Sequence, residues 1–273
     1  MSDTAIIFDI KRFAVHDGDG IRTTVFFKGC RLACRWCHNP EGLRFVPETA
    51  LFAHKCVLCG ACAAVCPTGA HRIEKGKHLF ERKKCTACGK CAAVCPAQAL
   101  TVYGRRVTVE ELMPELTADR EFYESSGGGV TLSGGECLCQ ADFCASLLCE
   151  LKKNGIRTAV DTAGFVPQRA IEAVMPYTDM FLYDIKAIDP ALHKRCTGED
   201  NVQILENLKY LDACGCESEI RFPCIPGYTD TEEAAIRRFV SGLKHVRGIR
   251  VLPYHSHAAS KYLALGIQQS MAP

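Results

Sequence analysis

The chain has 273 residues, 48% of them hydrophobic and 23% charged, with a formal net charge of +2. That length and apolar content allow one large α/β domain or two smaller ones with a sizeable core. A near-neutral balance without a concentrated basic face excludes a nucleic-acid footprint, and Arg82-Lys83-Lys84 reads as solvated surface or, more weakly, a docking point for an acidic electron donor. No apolar run nears the roughly 18 residues of a membrane span, and Met1-Ser2-Asp3-Thr4 lacks the layout of a signal peptide. A cytoplasmic protein without a membrane partner is expected. Nineteen cysteines in such a chain point to metal ligation more than to a disulfide frame.

The first apolar, β-rich run spans Arg22 to Lys28 and leads into Cys30-x3-Cys34-x2-Cys37, three thiolates from one short loop. Structural zinc and closed four-iron clusters take four protein ligands, so three imply a cubane with one iron open to an outside ligand. A zinc knuckle is the competing reading of the triplet taken alone.

Next come Cys56-x2-Cys59-x2-Cys62-x3-Cys66-Pro67 and Cys85-x2-Cys88-x2-Cys91-x3-Cys95-Pro96, with near-repeated flanks: an internal duplication of eight cysteines. It occupies residues 50–102 and interrupts the larger unit, 1–49 and 103–273, as an insertion. The other eight cysteines, Cys137, Cys139, Cys144, Cys149, Cys196, Cys214, Cys216 and Cys224, have no ligand spacing and read as small buried apolar residues.

Beyond the insert, helical patterns at Thr108–Arg120, Cys139–Asn154, Pro167–Met175, Asn201–Gly215 and Thr231–Val246 alternate with strands at Gly129–Ser133, Arg157–Asp161, Met180–Lys186, Glu217–Pro223 and Gly248–Pro253. With the first run that makes six strands, and the alternation implies a parallel sheet. Gly134-Gly135-Glu136, Asp161-Thr162-Ala163-Gly164, Asp184-Ile185-Lys186 and Tyr254-His255 all fall at the carboxyl ends of strands, where ligands bind in such folds. Taken singly, each has an ordinary structural explanation as a turn, helix cap, strand end or surface imidazole. Their convergence on one rim is the functional signal.

The Cys30-Cys34-Cys37 spacing, with Trp36 just before the third cysteine, resembles the radical S-adenosylmethionine (SAM) superfamily. His16-Asp17-Gly18-Asp19-Gly20-Ile21-Arg22, Gly127 to Glu136, Asp161 to Gly164, Tyr183 to Lys186 and Leu252-Pro253-Tyr254-His255 narrow the resemblance to the glycyl-radical enzyme activating enzymes, in that family's order and across nearly the whole chain. The resemblance implies an α/β partial (β/α)6 TIM-like barrel. It implies SAM at the open iron, with Gly134, Gly135 and Glu136 receiving the methionine amino group and Lys186 and His255 in contact with SAM. Asp161 and Asp184, with main-chain oxygens near Thr162 and Leu182, would match a monovalent cation site, which hard oxygen ligands suit.

The insert resembles the bacterial two-cluster ferredoxin, a small α+β domain. By that pattern Cys56, Cys59, Cys62 and Cys95 hold one [4Fe-4S] cluster and Cys85, Cys88, Cys91 and Cys66 a second, giving three in all. The expected partners are a glycyl-radical enzyme, whose glycine loop is the substrate, and a low-potential electron donor such as flavodoxin or ferredoxin. Two alternatives stay open: a radical SAM enzyme acting on a small molecule with auxiliary clusters, and a pure iron-sulfur electron carrier. Three departures from the family pattern are Asp19 in place of a common proline, no glycine in Ser256-His257-Ala258-Ala259-Ser260, and an end at Pro273 that predicts a truncated or looser C-terminal edge.

Overall fold

The computed structural model describes residues 3–268 and Met271; Met1, Ser2 and Pro273, on which two terminal expectations rest, lie outside the described residues. In chain order, β1 (Ala5–Ala14) and β2 (Arg22–Phe27) precede an insert of β3 (Glu48–Leu51), α1 (Ala61–Val65), β4 (His71–Glu74), β5 (Lys77–Phe80), α2 (Lys90–Ala93) and β6 (Leu100–Tyr103). The chain returns through β7 (Arg105–Val107), α3 (Val109–Thr117) and α4 (Arg120–Ser126). Five strands with their helices follow: β8 (Gly129–Gly134) and α5 (Ala141–Lys153), β9 (Thr158–Thr162) and α6 (Gln168–Val174), then β10 (Met180–Asp184) with α7 (Pro190–Thr197) and α8 (Val202–Ala213). Last come β11 (Ser218–Cys224) with α9 (Glu233–Val240) and β12 (Val246–Pro253) with α10 (Ala259–Leu265).

The strands β2, β8, β9, β10, β11 and β12 are neighbours in that order and run parallel, each pair joined by a helical crossover or, for β2 and β8, by the insert and two helices. They are the six runs that hydrophobic patterning predicted. The fold is thus mixed α/β around a large parallel sheet. Parallel strands covered by helices bury both faces, which is why Val25, Phe27, Leu132, Val160, Phe181, Tyr183 and Phe222 are all wholly buried. Leu112, Leu147, Leu151, Ile171, Leu208 and Ile236 from the helices pack into the same core. Each such side chain contributes about 1.5–3 kcal/mol.

Sequence patterning assigned no element to residues 5–14, yet β1 extends the sheet antiparallel between β2 and β7. Its mixed burial and charged residues mask the strand period. The predicted helix Thr108–Arg120 is broken at Asp119, which turns its carboxylate to Arg12 on β1, accepting from Nε at 2.7 Å and from Nη2, and starts α4. The predicted helix Thr231–Val246 ends at Val240, because β12 begins at Val246 and needs the intervening residues as a turn. Gly155 and Gly215 do stop their helices, with φ of +71° and +79°. The reading of the scattered cysteines is corrected: Cys137, Cys144 and Cys196 are buried, Cys139, Cys149, Cys216 and Cys224 are half-buried, and Cys214, at the end of α8, is exposed.

The insert is framed by β3 pairing antiparallel with β6, from Glu48 to Tyr103, and by the hairpin β4–β5. Its duplication is visible in the backbone. Leu58 and Ala87, Gly60 and Gly89, Gly69 and Gln98 are pairs at positive φ, each separated by the same step as Cys56 and Cys85, 85 − 56 = 29 residues. The Ala70 and Ala99 N–H groups, again one step apart, donate to Cys66 Sγ and Cys95 Sγ, both at 3.2 Å. Lys28, fully buried at the end of β2, donates to Glu48 Oε1 at 3.0 Å and to the Glu41 carbonyl at 2.5 Å, fastening the insert to the sheet. Arg82 bridges the Thr49 and Ala264 carbonyls, and Ala50 packs on Ala264 and Leu265 of α10.

Candidate active site

The carboxyl end of β2 runs through Lys28 and Gly29 into the loop of Cys30, Cys34 and Cys37. The loop is held from three sides. The Cys30 N–H donates to the Leu43 carbonyl, the Ala33 and Arg35 N–H groups donate to the Thr197 and Cys196 carbonyls at the end of α7, and the Tyr262 hydroxyl of α10 donates to the Cys37 carbonyl. Trp36 is buried against Cys196, Ile225 and Met271, which explains an aromatic before the third cysteine as an anchor for the loop.

Across from it, β8 ends in Gly134 and Gly135, where backbone passes backbone. A Cβ on Gly134 would lie 2.3 Å from the Phe27 nitrogen, and one on Gly135 would lie 2.4 Å from the Gly42 oxygen. The Gly135 N–H donates to the Phe27 carbonyl at 2.8 Å and the Glu136 N–H to the Gly29 carbonyl at 2.7 Å, so the glycine pair clamps the cysteine loop to the sheet.

Cys30, Cys34, Cys37, Gly134, Gly135, Asp161, Asp184 and Lys186 line one cavity, together with His38, Ser133 and Thr162. Two residues singled out from sequence sit elsewhere. Glu136 is buried behind the wall, where its carboxylate accepts from the Leu138 N–H at 3.2 Å, the Thr162 hydroxyl at 2.8 Å and the Ala163 N–H at 3.0 Å. His255 is exposed and stacks on His38 with ring centroids 4.0 Å apart, while its carbonyl is 3.1 Å from His38 Nε2. Leu182 is fully buried in β10, paired on both sides by β9 and β11.

On the floor, Lys186 donates to Asp184 Oδ2 at 2.8 Å, and Asp161 Oδ2 accepts from the Ser133 hydroxyl at 2.7 Å and from Arg221 Nη1 at 3.3 Å. Arg221, from the middle of β11, also donates to the His16 carbonyl and faces Asp17 Oδ1 at 3.9 Å; its Nε is buried without a partner. The segment His16–Arg22 therefore lies beneath the cavity, with the Asp17 carboxylate accepting from Thr24 at 2.8 Å. Arg221, Ser133 and His38 escaped sequence reasoning. A charged residue held between the buried Ile220 and Phe222 was the available signal for the first.

Burial sets the electrostatics. It raises the thiol of Cys30 well above the ordinary range and Cys37 to about 12, and it raises Cys34 against the opposing charge of Lys186. It lifts Glu136 to about 7 against its three hydrogen bonds, and Asp161 to about 6 despite Arg221. Burial opposes the Lys186 ammonium too, but the charges of Asp184, Cys34 and Cys30 outweigh it and raise its pKa. A bound cation would supply the charge that lets these buried thiols ionise. Three thiols lining one cavity fit the three-cysteine set of an iron-sulfur cubane, and His38, in the same cavity, has its Nε2 3.1 Å from the His255 carbonyl.

Residues 24–240 match the Radical SAM superfamily. The choline trimethylamine-lyase activating enzyme of Oleidesulfovibrio alaskensis is 44% identical over 271 residues, covering 96% of this chain and 87% of the relative. The trans-4-hydroxy-L-proline dehydratase activating enzyme of Clostridioides difficile is 41% identical, with 94% and 86% covered. The benzylsuccinate synthase activating enzyme of Thauera aromatica is 40% identical, with 96% and 82% covered. No helix among the described residues is long and apolar enough to cross a membrane. A superfamily match over residues 24–240, joined to relatives of this kind covered over 82–87% of their length, establishes that the chain belongs to the radical SAM superfamily, among the activating enzymes of glycyl-radical enzymes.

Proposed function

We propose that the chain cleaves SAM reductively at the Cys30-Cys34-Cys37 site and removes a hydrogen from a backbone glycine of a partner glycyl-radical enzyme, in a cytoplasmic setting. A [4Fe-4S] cluster and SAM belong to the chemistry of this superfamily. Cys30, Cys34 and Cys37 would hold the cluster, which would supply the one electron that reductive cleavage of the SAM sulfonium to methionine and a 5'-deoxyadenosyl group needs.

The chain's own residues bind and shield. Gly134 and Gly135 bring bare backbone to the cavity edge, where the amino group of SAM would be received, and Glu136 braces that wall from behind. Lys186, buried and held by Asp184, offers a charge for the carboxylate. Asp161 and Asp184 are the acids to which we assign a monovalent cation, in exchange for their present partners Arg221 and Lys186. His255, stacked on His38 at the mouth, is placed to close over the substrate.

We read the parallel sheet as an open (β/α)6 partial barrel whose free side admits the partner's glycine loop. The insert, residues 50–102, is read as a ferredoxin-like domain with two further [4Fe-4S] clusters: one on Cys56, Cys59, Cys62 and Cys95, the other on Cys85, Cys88, Cys91 and Cys66. The 29-residue backbone repeat and the N–H groups aimed at Cys66 and Cys95 support this. Eight ligands for two cubanes leave no open iron, so these clusters carry electrons from a low-potential donor such as flavodoxin or ferredoxin.

The observation that carries the reading is that three thiols, and no fourth cysteine among the described residues, line one cavity with Gly134, Gly135, Asp161, Asp184 and Lys186. Anaerobic incubation with SAM and dithionite tests it. The reconstituted protein should release 5'-deoxyadenosine and install a radical on a glycyl-radical partner. Cys34→Ala should abolish SAM cleavage, whereas Cys88→Ala should chiefly impair electron delivery. Absence of 5'-deoxyadenosine, with or without a partner, or equal activity in both variants would overturn the assignment.

A further inference from the structure

The duplication in the insert carries a feature outside its cysteine motifs. Thr49 stands seven residues before Cys56, and His78 seven residues before Cys85, so the two are equivalent positions one 29-residue step apart (78 − 49 = 29). Neither touches the cysteine that follows it. The Thr49 hydroxyl lies 3.4 Å from Cys85 Sγ, and His78 Nδ1 lies 3.5 Å from Cys56 Sγ. Each half thus lends a donor to the first cysteine of the other, the crossing expected of two halves related by an approximate two-fold axis.

The two donors are chemically different. Thr49 is almost fully buried on β3 and offers one O–H. His78, on β5, lines the cavity formed by Cys56, Cys59, Cys62 and Cys95, with Nε2 3.7 Å from Cys62 Sγ and 3.0 Å from His71 Nδ1. His71 is buried and stacked on Phe80 at 4.4 Å, and its equivalent one step later is Leu100, so only one half has this second ring. An iron-bound thiolate carries no proton and can only accept. Nδ1 of His78 must then donate to Cys56, which in a neutral ring leaves Nε2 to accept from His71 Nδ1–H and makes its 3.7 Å approach to Cys62 Sγ a packing contact and not a hydrogen bond. His71 fixes the ring, and the ring faces the sulfur.

We propose that Thr49 and His78 are positioning residues that set the two insert clusters at different reduction potentials, each through a hydrogen bond to the first cysteine of the opposite half. The inference rests on the reading of the insert as a two-cluster domain. Reduction adds negative charge to a cluster, and a donor aimed at a ligand sulfur stabilises that charge, so each hydrogen bond raises the potential of its own cluster. Identical ligand sets with unlike donors, a hydroxyl on one side and a ring-backed imidazole on the other, give the relay two unequal steps.

The test is a potentiometric titration followed by electron paramagnetic resonance, on the anaerobically reconstituted full-length protein, with iron measured in each sample. Wild-type protein should hold about twelve irons per chain. In His78→Leu, iron is retained and one insert cluster becomes about tenfold less reduced at a given potential, a fall of about 59 mV for one electron. In Thr49→Val the other cluster moves in the same direction. His78→Asn, which places an amide N–H near the former Nδ1, restores most of the shift. Cys62, His71 and His78 bring their ligand atoms within 4.8 Å of one another, so a direct ligand role for the imidazole has its own signature: His78→Leu and His78→Asn would both lose about four irons. That result overturns the proposal, as do full iron with unmoved potentials or one cluster responding to both substitutions. Wild-type protein with only about four irons would overturn the two-cluster reading itself, and the inference with it.

Discussion

Gly134 occupies backbone at φ +118°, and a methyl group there would meet the Phe27 nitrogen at 2.3 Å. Neither the strain nor the overlap can be relieved by a side-chain rotation, since the obstacle is the neighbouring strand. Gly134→Ala should cost about 3 kcal/mol or more in denaturant unfolding, and a variant as stable as the parent would contradict the described clamp. Glu136 makes a prediction in pH. Burial raises it from 4.5 to about 7, so between those values the folded chain holds a proton that the unfolded chain has released. Stability must then fall as pH rises through that window, by up to about 1.4 kcal/mol per unit, and Glu136→Gln must lack that component. Asp161, raised to about 6 by burial, adds a slope of its own at lower pH, which makes pH 6 to 7 the cleanest interval for comparing melting curves. Parallel slopes for parent and variant there would contradict the buried-acid assignment. At this scale, the residues legible in the sequence were those with local ligand spacing or a strand-end motif. Arg221 and His38 were not, because Arg221 reaches Asp161 and His38 joins the cavity only when β11 and the segment after Cys37 fold together, and no local spacing marks that approach.

The six parallel strands announced themselves because burial on both faces demands unbroken apolar runs, and the helices between them carry amphipathic periods. Charged Asp9, Lys11 and Arg12 hid β1, whose role depends on partners far along the chain, including the Asp119 carboxylate that breaks the helix after Thr117. The duplicated cysteine runs mark the segment between β3 and β6, but not how it is fastened. That task falls to Lys28, wholly buried, with Glu48 as its ion-pair partner. Lys28→Met should destabilise the protein by about 3 kcal/mol, because it leaves the buried Glu48 carboxylate with only the exposed Arg44, 3.5 Å from its Oε2, while adding Glu48→Leu should recover most of the loss. Unfolding curves for the single and double variants check this. A single variant without cost would mean that the pair does not join insert to sheet.

For the whole molecule, α10 connects the two ends of the proposed electron path. Its Tyr262 and Lys261 donate to the Cys37 and His38 carbonyls, and its Ala264 and Leu265 pack on Ala50 at the start of the insert. One short helix therefore supports the cysteine loop and seats the eight-cysteine unit against the same body. The terminal expectation built on Pro273 lies beyond the described residues, whereas α10 itself is formed and packed. The central claim is that the cluster on Cys30, Cys34 and Cys37 keeps one iron for SAM. Electron–nuclear double resonance on the dithionite-reduced full-length protein, with nitrogen-15 in the SAM amino group, addresses it directly. A nitrogen-15 coupling to a reduced four-iron signal, lost in Cys34→Ala, is the predicted result. A site filled by zinc, or a four-iron signal with no such coupling in the parent protein, would contradict it.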